Sequence, residues 1–364
     1  MTQTVINPGD VKAIKKWSAD LARDTNSQSY WTQRFVGKGK NNIIQQKTEL
    51  EAEAGDTIQF DLAVQLRGQP TIGDERLKGK EENLRFFSDQ VLIDQMRKAV
   101  SAGGKMSRKR ILHDLRTLSR EMLSEYWAKY SDEMLFIYLS GARGINEDFI
   151  QPVGWTGHAG NAIQAPDAAH IMYAGAATSK ASITSSDKMN RTFIERAQTY
   201  VRMIRAVSPD NTNMKPVSVG GEGRYVALMS PQDEFNMRTV DTAGWLDMNK
   251  ALTQGGDKSN PIFKGGLGML ANTILHSHES VVRFSDYGAG ANLPASRSLF
   301  MGRQAAMIAY GTGPGSRYQW IEERDDYGNL INAASGVILG VKKSRWNNKD
   351  FGVVALDSYS AAVN

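Results

Sequence analysis

The longest stretch of helix-forming residues in this chain runs from residue 108 to residue 140 without a proline or a glycine. About thirty helical residues span roughly 45 Å at a rise of 1.5 Å per residue. Gly141 and Gly144 are predicted to end the helix. The apolar positions with helical spacing are Ile111, Leu115, Leu118, Met122 and Tyr126, flanked by Leu112, Leu123, Trp127, Tyr130 and Met134. The fold must therefore bury the apolar face of one long helix.

Length and composition exclude several classes of protein. A chain of 364 residues is long enough for two or three domains. It contains no cysteine, which rules out disulfides, thiolate nucleophiles and cysteine-ligated zinc. Neither a signal peptide nor an apolar run long enough to span a bilayer is found, so we expect no membrane contact and a cytoplasmic site of synthesis and folding.

The positive charge is concentrated at one end of the chain. Residues 1–47 contain eight basic and three acidic side chains, so this segment carries the whole formal net charge of +5. A basic segment ahead of a neutral body is typical of an arm that contacts phosphate or an acidic neighbouring subunit. The alternative interpretation is ordinary solvated surface charge.

Alternating polar and apolar residues predict a long β-ribbon between residues 48 and 100. The period of two is seen in residues 49–54 and again in residues 58–66, with a turn at Gly55 and Asp56, and it resumes from residue 84. Residues 68–82 are charged and contain glycines, so they are predicted to form the tip. Because a two-stranded ribbon is marginally stable alone, its apolar face must pack on its own domain or on another chain.

The rest of the chain mixes helices and short strands. A loop-like segment at 145–190 precedes a second helix that stops at Ser208 and Pro209, and a strand then leads into a third helix starting at Pro231. The last hundred residues contain short strands with many glycines, and residues 326–329 predict a hairpin turn. This order predicts an α+β fold.

Motifs for catalysis are weak or incomplete. His276, His278 and Glu279 are candidate metal ligands, but a third ligand would have to come from elsewhere in the fold. The glycine-rich stretches "GLGMLA" and "GTGPGS" lack the preceding strand or the Lys-Ser/Thr ending that nucleotide sites need. We therefore predict no enzymatic activity and no cofactor. The alternative is a DNA-binding protein, or a metal-dependent enzyme that uses the His276 and His278 region.

Several stretches together resemble the major capsid proteins of tailed bacteriophages, whose fold also occurs in herpesvirus shells. They are "GDTIQFDL", "SAGGKMSRKR", "DEMLFIYLSG", "FKGGLGMLANTILHSHESVVRF", "MGRQAAMIAYG" and "KDFGVVALDSYSA". These stretches are most similar to the branch typified by N4-like phages. The resemblance covers roughly residues 50–360, and it lies in the number and order of the stretches, since none is diagnostic alone.

The resemblance implies a particular division of the chain. The parts are a basic N-terminal arm at 1–47, an extended β-ribbon loop at 48–100, a peripheral domain at 101–239 with a spine helix at about 108–140, an axial domain at 240–340, and a C-terminal strand at 341–364 that returns to the peripheral domain. No room remains for an N-terminal scaffold domain, so scaffolding is expected from a separate protein.

The resemblance also implies partners and contact residues. The chain is expected to self-assemble into hexamers and pentamers of an icosahedral shell around double-stranded DNA, with non-specific DNA contact, separate scaffolding and portal proteins, and assembly in the host cytoplasm before residence in the virion. Candidate subunit-interface residues at the ribbon tip are Arg67, Asp74, Glu75, Arg76, Lys78, Lys80, Glu81 and Glu82. Candidates that face DNA or clamp a neighbour are Lys12, Lys15, Lys16 and Arg23.

Overall fold

The fold is taken from a computed structural model, which describes residues 11–51, 54–63, 69–83, 86–110, 114–207, 212–240, 244–245 and 261–361. Helices in these ranges are α1 Val11–Gln28, α2 Tyr30–Arg34, α3 Lys105–Arg110, α4 Leu115–Ser140, α5 Arg191–Val207 and α6 Pro231–Val240. Short 3-10 helices occupy Glu49–Glu51, Lys180–Ser182 and Pro261–Phe263.

Twenty strands are distributed along the same ranges. In chain order they are β1 Val36–Gly37, β2 Ile44–Lys47, β3 Thr57–Ala63, β4 Phe86–Leu92, β5 Asp94–Ser101, β6 Gly157–His158, β7 Asn161–Ala162, β8 Ile171–Tyr173, β9 Val217–Val219, β10 Glu222–Met229, β11 Gly268–Leu270, β12 Thr273–Ser277, β13 Arg283–Tyr287, β14 Leu293–Met301, β15 Ala306–Tyr310, β16 Gln319–Asp325, β17 Leu330–Lys343, β18 Arg345–Trp346, β19 Lys349–Asp350 and β20 Val353–Tyr359. Most of them belong to two mixed sheets, as an α+β fold requires.

The predicted rod is helix α4, which begins later than the sequence suggested. Asp114 is its N-cap: the residue is extended, and its side chain accepts a hydrogen bond from the Arg116 N–H. Residues 105–110 form the separate helix α3. The end of α4 is as predicted, since Gly141 has a left-handed φ of 70° and its N–H bonds to the Ile137 carbonyl. The 26 residues of α4 span about 39 Å.

The buried face of α4 differs from the predicted stripe. Leu123, Trp127 and Met134 are buried as expected, whereas Leu118 and Met122 are exposed. The last ten residues, 131–140, are buried on every side. A helix that is buried all round lies inside the protein, so the C-terminal half of α4 is a core element and its N-terminal half is a surface element.

A six-stranded sheet packs against α4 and α1. Its order is β1-β2-β15-β17-β16, and β5 also pairs with β17. Residues 18–47 of the N-terminal segment contribute to this unit: β2 pairs with β15, and Leu21, Trp31 and Ile44 are fully buried. Burial of these large apolar side chains stabilises the packing of this segment on the sheet.

An eight-stranded sheet forms the second layer. Its order is β11-β12-β10-β14-β20-β8, with β9 and β13 attached to β10 and β14. Side chains alternate between its faces: Val226 and Leu228 join the core around α4, whereas Tyr225 and Ala227 join a second core with α5. The sheet is therefore covered by helices on both faces.

Each sheet combines segments that are far apart in the sequence. The predicted boundary near residue 240 falls between paired strands, since β10 pairs with both β12 and β14. Residues 306–343 lie in the six-stranded sheet with α4. The C-terminal strand β20 lies between β14 and β8. Chain order alone therefore does not separate the two layers.

The predicted ribbon is formed by β3 and β4, which pair antiparallel from Thr57 opposite Leu92 to Ala63 opposite Phe86. Residues 49–51 form a 3-10 helix and not the expected strand, because Leu50 turns into the cluster beneath the ribbon. After the ribbon, β5 enters the six-stranded sheet. Within the described part of the chain, each helix is too short or too polar to cross a membrane.

Candidate assembly surfaces

The base of the ribbon packs on its own subunit. Ile58, Phe60 and Val91 are buried in a cluster with Met307 and Trp346. The Phe60 and Trp346 rings meet edge to face with 5.3 Å between their centroids. The apolar face of the ribbon base is therefore covered without a second chain.

Polar contacts fix the direction in which the ribbon leaves the body. The Lys342 ammonium forms an ion pair of 2.5 Å with Asp89 Oδ1 and also donates to the Gln90 carbonyl. The Asn161 side chain accepts from the Leu92 N–H at 3.0 Å and donates to the Leu92 carbonyl at 2.7 Å. Both contacts are largely shielded from water, so the ribbon is anchored at β4.

The described tip residues, 69–83, belong to the connection between β3 and β4. The predicted interface residues Asp74, Glu75, Arg76, Lys78, Lys80, Glu81 and Glu82 are all exposed, and Arg67 lies outside the described residues. Lys80 forms an ion pair with Glu75, and Glu81 accepts the Gly79 N–H at 2.7 Å. Local contacts of this kind in water contribute little stability.

Two large apolar side chains are exposed among these charges. Ile72 is 78% exposed and Leu77 is 64% exposed. Both lie beyond the buried base, where their own subunit does not cover them. Exposed apolar groups rimmed by charge are typical of protein contact sites.

The predicted DNA-facing residues lie on helix α1. Lys12, Lys15 and Lys16 are in its first two turns, at positions where the backbone alone is described. The Arg23 guanidinium is 3.4 Å from Asp20 and 3.8 Å from Asp24, so its charge is partly balanced within the helix. The three lysines and Arg23 therefore share one helix, and Arg23 has local acidic partners.

Asp132 attaches the N-terminal segment to the spine helix, which sequence reasoning missed. Its carboxylate accepts hydrogen bonds from the Ser29 hydroxyl at 2.7 Å and the Tyr30 N–H at 2.7 Å, at the start of α2. Burial raises the pKa of Asp132 to about 6, although these donors oppose the shift. The signal in the sequence was Ser29 before an aromatic pair, a helix N-cap pattern.

The next residue, Glu133, binds a different segment. Its Oε2 accepts the Ile150 N–H at 2.8 Å and the Gln151 N–H at 3.4 Å. Burial raises the pKa of Glu133 to about 7, and the nearby Asp148 charge adds to the shift. Adjacent carboxylates of α4 thus hold α2 and the 150–151 loop.

The histidine pair does not form the metal site considered from sequence. His276 Nε2 donates to the Ile262 carbonyl at 2.9 Å, and the His278 ring lies 4.4 Å from the Tyr30 ring between centroids. Burial lowers the pKa of each histidine to about 4, so both are neutral at pH 7. Among the described residues, His, Asp and Glu side chains form no cluster of three that could hold a metal ion.

Comparisons with known proteins agree with a shell component. The family described as phage capsid protein matches residues 5–362. The major capsid protein of Pseudomonas phage KPP25 is 27% identical, and the alignment covers 93% of each chain. The solved capsid of Ralstonia phage GP4 is 57% identical, covers both chains completely and superposes with a TM-score of 0.89. The capsid of cyanophage Pam1 is 22% identical with a TM-score of 0.68 over 90% of this chain and 92% of its own, so it supports the fold.

Proposed function

The chain belongs to the phage capsid protein family, and from this we propose that it assembles as hexamers and pentamers into an icosahedral shell around double-stranded DNA. It is a major capsid protein, a structural component of a phage virion. Its relatives are structural proteins, which supports a chain without enzymatic turnover. The capsid of Ralstonia phage GP4 supports self-association of this chain.

The observation that carries the proposal is the contrast between the two ends of the ribbon. The base is fixed by Phe60, Val91 and the Lys342–Asp89 ion pair, whereas the tip exposes Ile72 and Leu77. A rigid base with an uncovered apolar tip suits an element that reaches a second copy. We therefore propose that the tip lies on the neighbouring subunit, where Asp74, Glu75, Arg76, Lys78, Lys80, Glu81 and Glu82, with Arg67, set the register.

The two layers suggest how the subunit is placed in the shell. We assign the six-stranded sheet, α4 and the ribbon to the peripheral domain, and the eight-stranded sheet with α5 and α6 to the axial domain. The support is that α4 packs on β17 and that the ribbon base contacts β15 and the β18–β19 hairpin. In this assignment residues 306–340 move from the predicted axial domain to the peripheral domain, whereas α5, α6 and the C-terminal strand β20 move to the axial domain.

The basic N-terminal helix supports a role at the inner surface. We propose that Lys12, Lys15 and Lys16, with Arg23, attract packaged DNA through its phosphates without sequence preference or clamp an acidic neighbour. We further propose separate scaffolding and portal proteins and assembly in the host cytoplasm. These partners follow from the family and not from a contact in the subunit.

Electron microscopy of the purified protein tests the proposal. We expect capsomers or closed shells, together with a sedimentation coefficient far above that of a 40.2 kDa monomer. A compact monomer under every assembly condition, including with its scaffolding protein, would contradict it.

A further inference from the structure

Lys343 and Asp350 form an ion pair that is closed off from water. Lys343 is the last residue of β17, and Asp350 is the last residue of β19. The Lys343 Nζ lies 2.7 Å from Asp350 Oδ2, and each side chain is 1% exposed. Lysine is rarely buried to this extent. Because a buried ion pair is often no more stabilising than two apolar side chains, stability alone does not explain it.

The surroundings move both members of the pair toward their neutral forms. Burial lowers the pKa of Lys343, although the Asp350 charge opposes the shift. Burial raises the pKa of Asp350, although the Lys343 charge opposes the shift. Transfer of one proton along the hydrogen bond between them therefore gives a neutral amine beside a neutral carboxylic acid.

The second oxygen of Asp350 faces a fixed positive charge. Arg345 Nε lies 3.0 Å from Asp350 Oδ1, and the two residues are opposite each other in the β18–β19 hairpin. The backbone N–H of Asp350 donates to Asp167 Oδ2 at 3.2 Å, which holds the residue in place. The carboxyl group thus has an amine at one oxygen and a guanidinium at the other, where it can stabilise a developing oxyanion.

We propose that Lys343 and Asp350 condense to an amide, so that an isopeptide bond forms within a single chain. The inference does not depend on the proposed shell function. Near-attack geometries place the reacting atoms about 3–3.5 Å apart, and a nitrogen hydrogen-bonded to Oδ2 lies close to this distance from Cγ. The exclusion of water favours the condensation over the reverse hydrolysis.

The reaction balances without a further reactant. Lys343 first gives one proton to Asp350 Oδ2. The Nζ lone pair then attacks Cγ, and the electron pair of the carbonyl bond moves onto Oδ1 beside Arg345. A second proton passes from Nζ to Oδ2, the carbonyl bond forms again, and the Cγ–Oδ2 bond breaks. Oδ2 leaves as water, and one amide N–H remains.

The new bond would fix the hairpin that supports the ribbon. It closes a covalent ring through residues 343–350, which contain β18 and the start of β19. Trp346 in this ring meets the Phe60 ring at the ribbon base. The cross-link therefore gives the ribbon base a covalently closed support in a chain that has no cysteine for a disulfide.

Mass spectrometry of the purified full-length chain in denaturant tests the proposal. We expect the chain to weigh one water molecule less than its sequence requires. Trypsin is expected to release a branched peptide in which Lys343 is joined to residues 350–364. Lys343→Arg is expected to have its full sequence mass, because a guanidinium that stays charged cannot attack Cγ.

Lys342→Arg is the matched control. Lys342 is the adjacent lysine and pairs with Asp89, but these side chains are 18% and 11% exposed, so the control is expected to keep the mass deficit of the Lys343–Asp350 bond. Arg345→Met is expected to slow the appearance of the branched peptide about tenfold or more after cell-free synthesis, because the oxyanion loses its positive partner.

The mass of the unaltered chain is decisive even where a variant does not fold. A full sequence mass after prolonged incubation of the folded chain at neutral pH would show an ion pair alone and would overturn the proposal. A water loss that maps to other residues would overturn it as well. An unchanged rate in Arg345→Met would contradict the role given to that guanidinium.

Discussion

Arg297 and Asp357 form a buried two-pronged ion pair that joins the eight-stranded sheet to the spine helix. Arg297 Nε is 2.8 Å from Asp357 Oδ1, and Nη2 is 2.8 Å from Oδ2. The remaining Nη1 donates to the Ser140 carbonyl at the end of α4. Asp357 also accepts from the Tyr287 hydroxyl at 2.6 Å. The charged groups of the pair are satisfied by hydrogen bonds, so the eight-stranded sheet and the end of α4 meet in one geometry.

Replacing Arg297 with methionine is expected to lower the free energy of unfolding by about 3–5 kcal/mol, because Asp357 is left charged and unpaired inside the protein. Urea denaturation of the unassembled chain measures the change. The paired substitution Arg297→Met with Asp357→Leu removes both charges and is expected to recover much of the loss. A cost below about 1 kcal/mol for Arg297→Met would show that the pair does not hold the sheet to the end of α4.

Glu133 is expected to make the folded chain less stable as the pH rises. Its pKa is raised from 4.5 to about 7, so the folded chain binds the proton more tightly than the unfolded chain. The stabilisation is complete below pH 4.5 and is lost as the pH rises through about 7. Glu133→Gln is therefore expected to flatten the fall in stability between pH 5 and pH 8. Parallel pH profiles for Glu133→Gln, the unaltered chain and the exposed control Glu125→Gln would contradict this.

Exchange of Lys12, Lys15 and Lys16 for glutamine is expected to weaken DNA retention or assembly. The loss is expected to be larger at low salt, because screening at high salt already weakens these interactions in the unaltered chain. Nuclease protection of DNA across a salt series measures the effect. Arg23→Gln is expected to have a smaller effect than exchange of the three lysines, because Asp20 and Asp24 already neutralise that charge in part. If the substituted and unaltered chains behave equally at all salt concentrations, the lysines are ordinary solvated surface charge.

Gly141→Ala is expected to destabilise the fold by about 3 kcal/mol or more. A left-handed φ of 70° costs about 1–2 kcal/mol for a residue with a Cβ, and that Cβ would lie 2.3 Å from the Gln164 carbonyl oxygen. Gly73→Ala is the matched control, because Gly73 has a φ of 64° with open space around it. Thermal unfolding of both variants measures the difference. Equal losses would mean that the chain around residue 164 shifts freely.

Local features of the fold were predictable, and long-range pairing was not. Gly141 ends α4 because only local backbone geometry is involved, and the turn before Asn329 follows from its residues alone. The start of α4 was missed because good helix formers continue upstream of Asp114. Pairing of β2 with β15 joins residues about 260 positions apart, which no local pattern encodes.

For the candidate surfaces too, features encoded by local sequence were predictable and features that depend on long-range packing were not. The tip was predicted from its charge and glycine content, and Asp74 to Glu82 are exposed in the structure. The burial of Leu21, Trp31 and Ile44 was not predicted, because the charge of the surrounding sequence drew attention to the lysines.

The most direct measurement is the fraction of protein in closed shells after residues 70–80 are replaced by a short Gly-Ser turn. We predict that the shortened chain keeps its circular dichroism and thermal unfolding, because the anchor at Phe60 and Asp89 is untouched, and that closed shells are lost. A Gly-Ser segment of the original length keeps the reach without the side chains and is expected to fail as well. Normal shells from either chain would contradict the account.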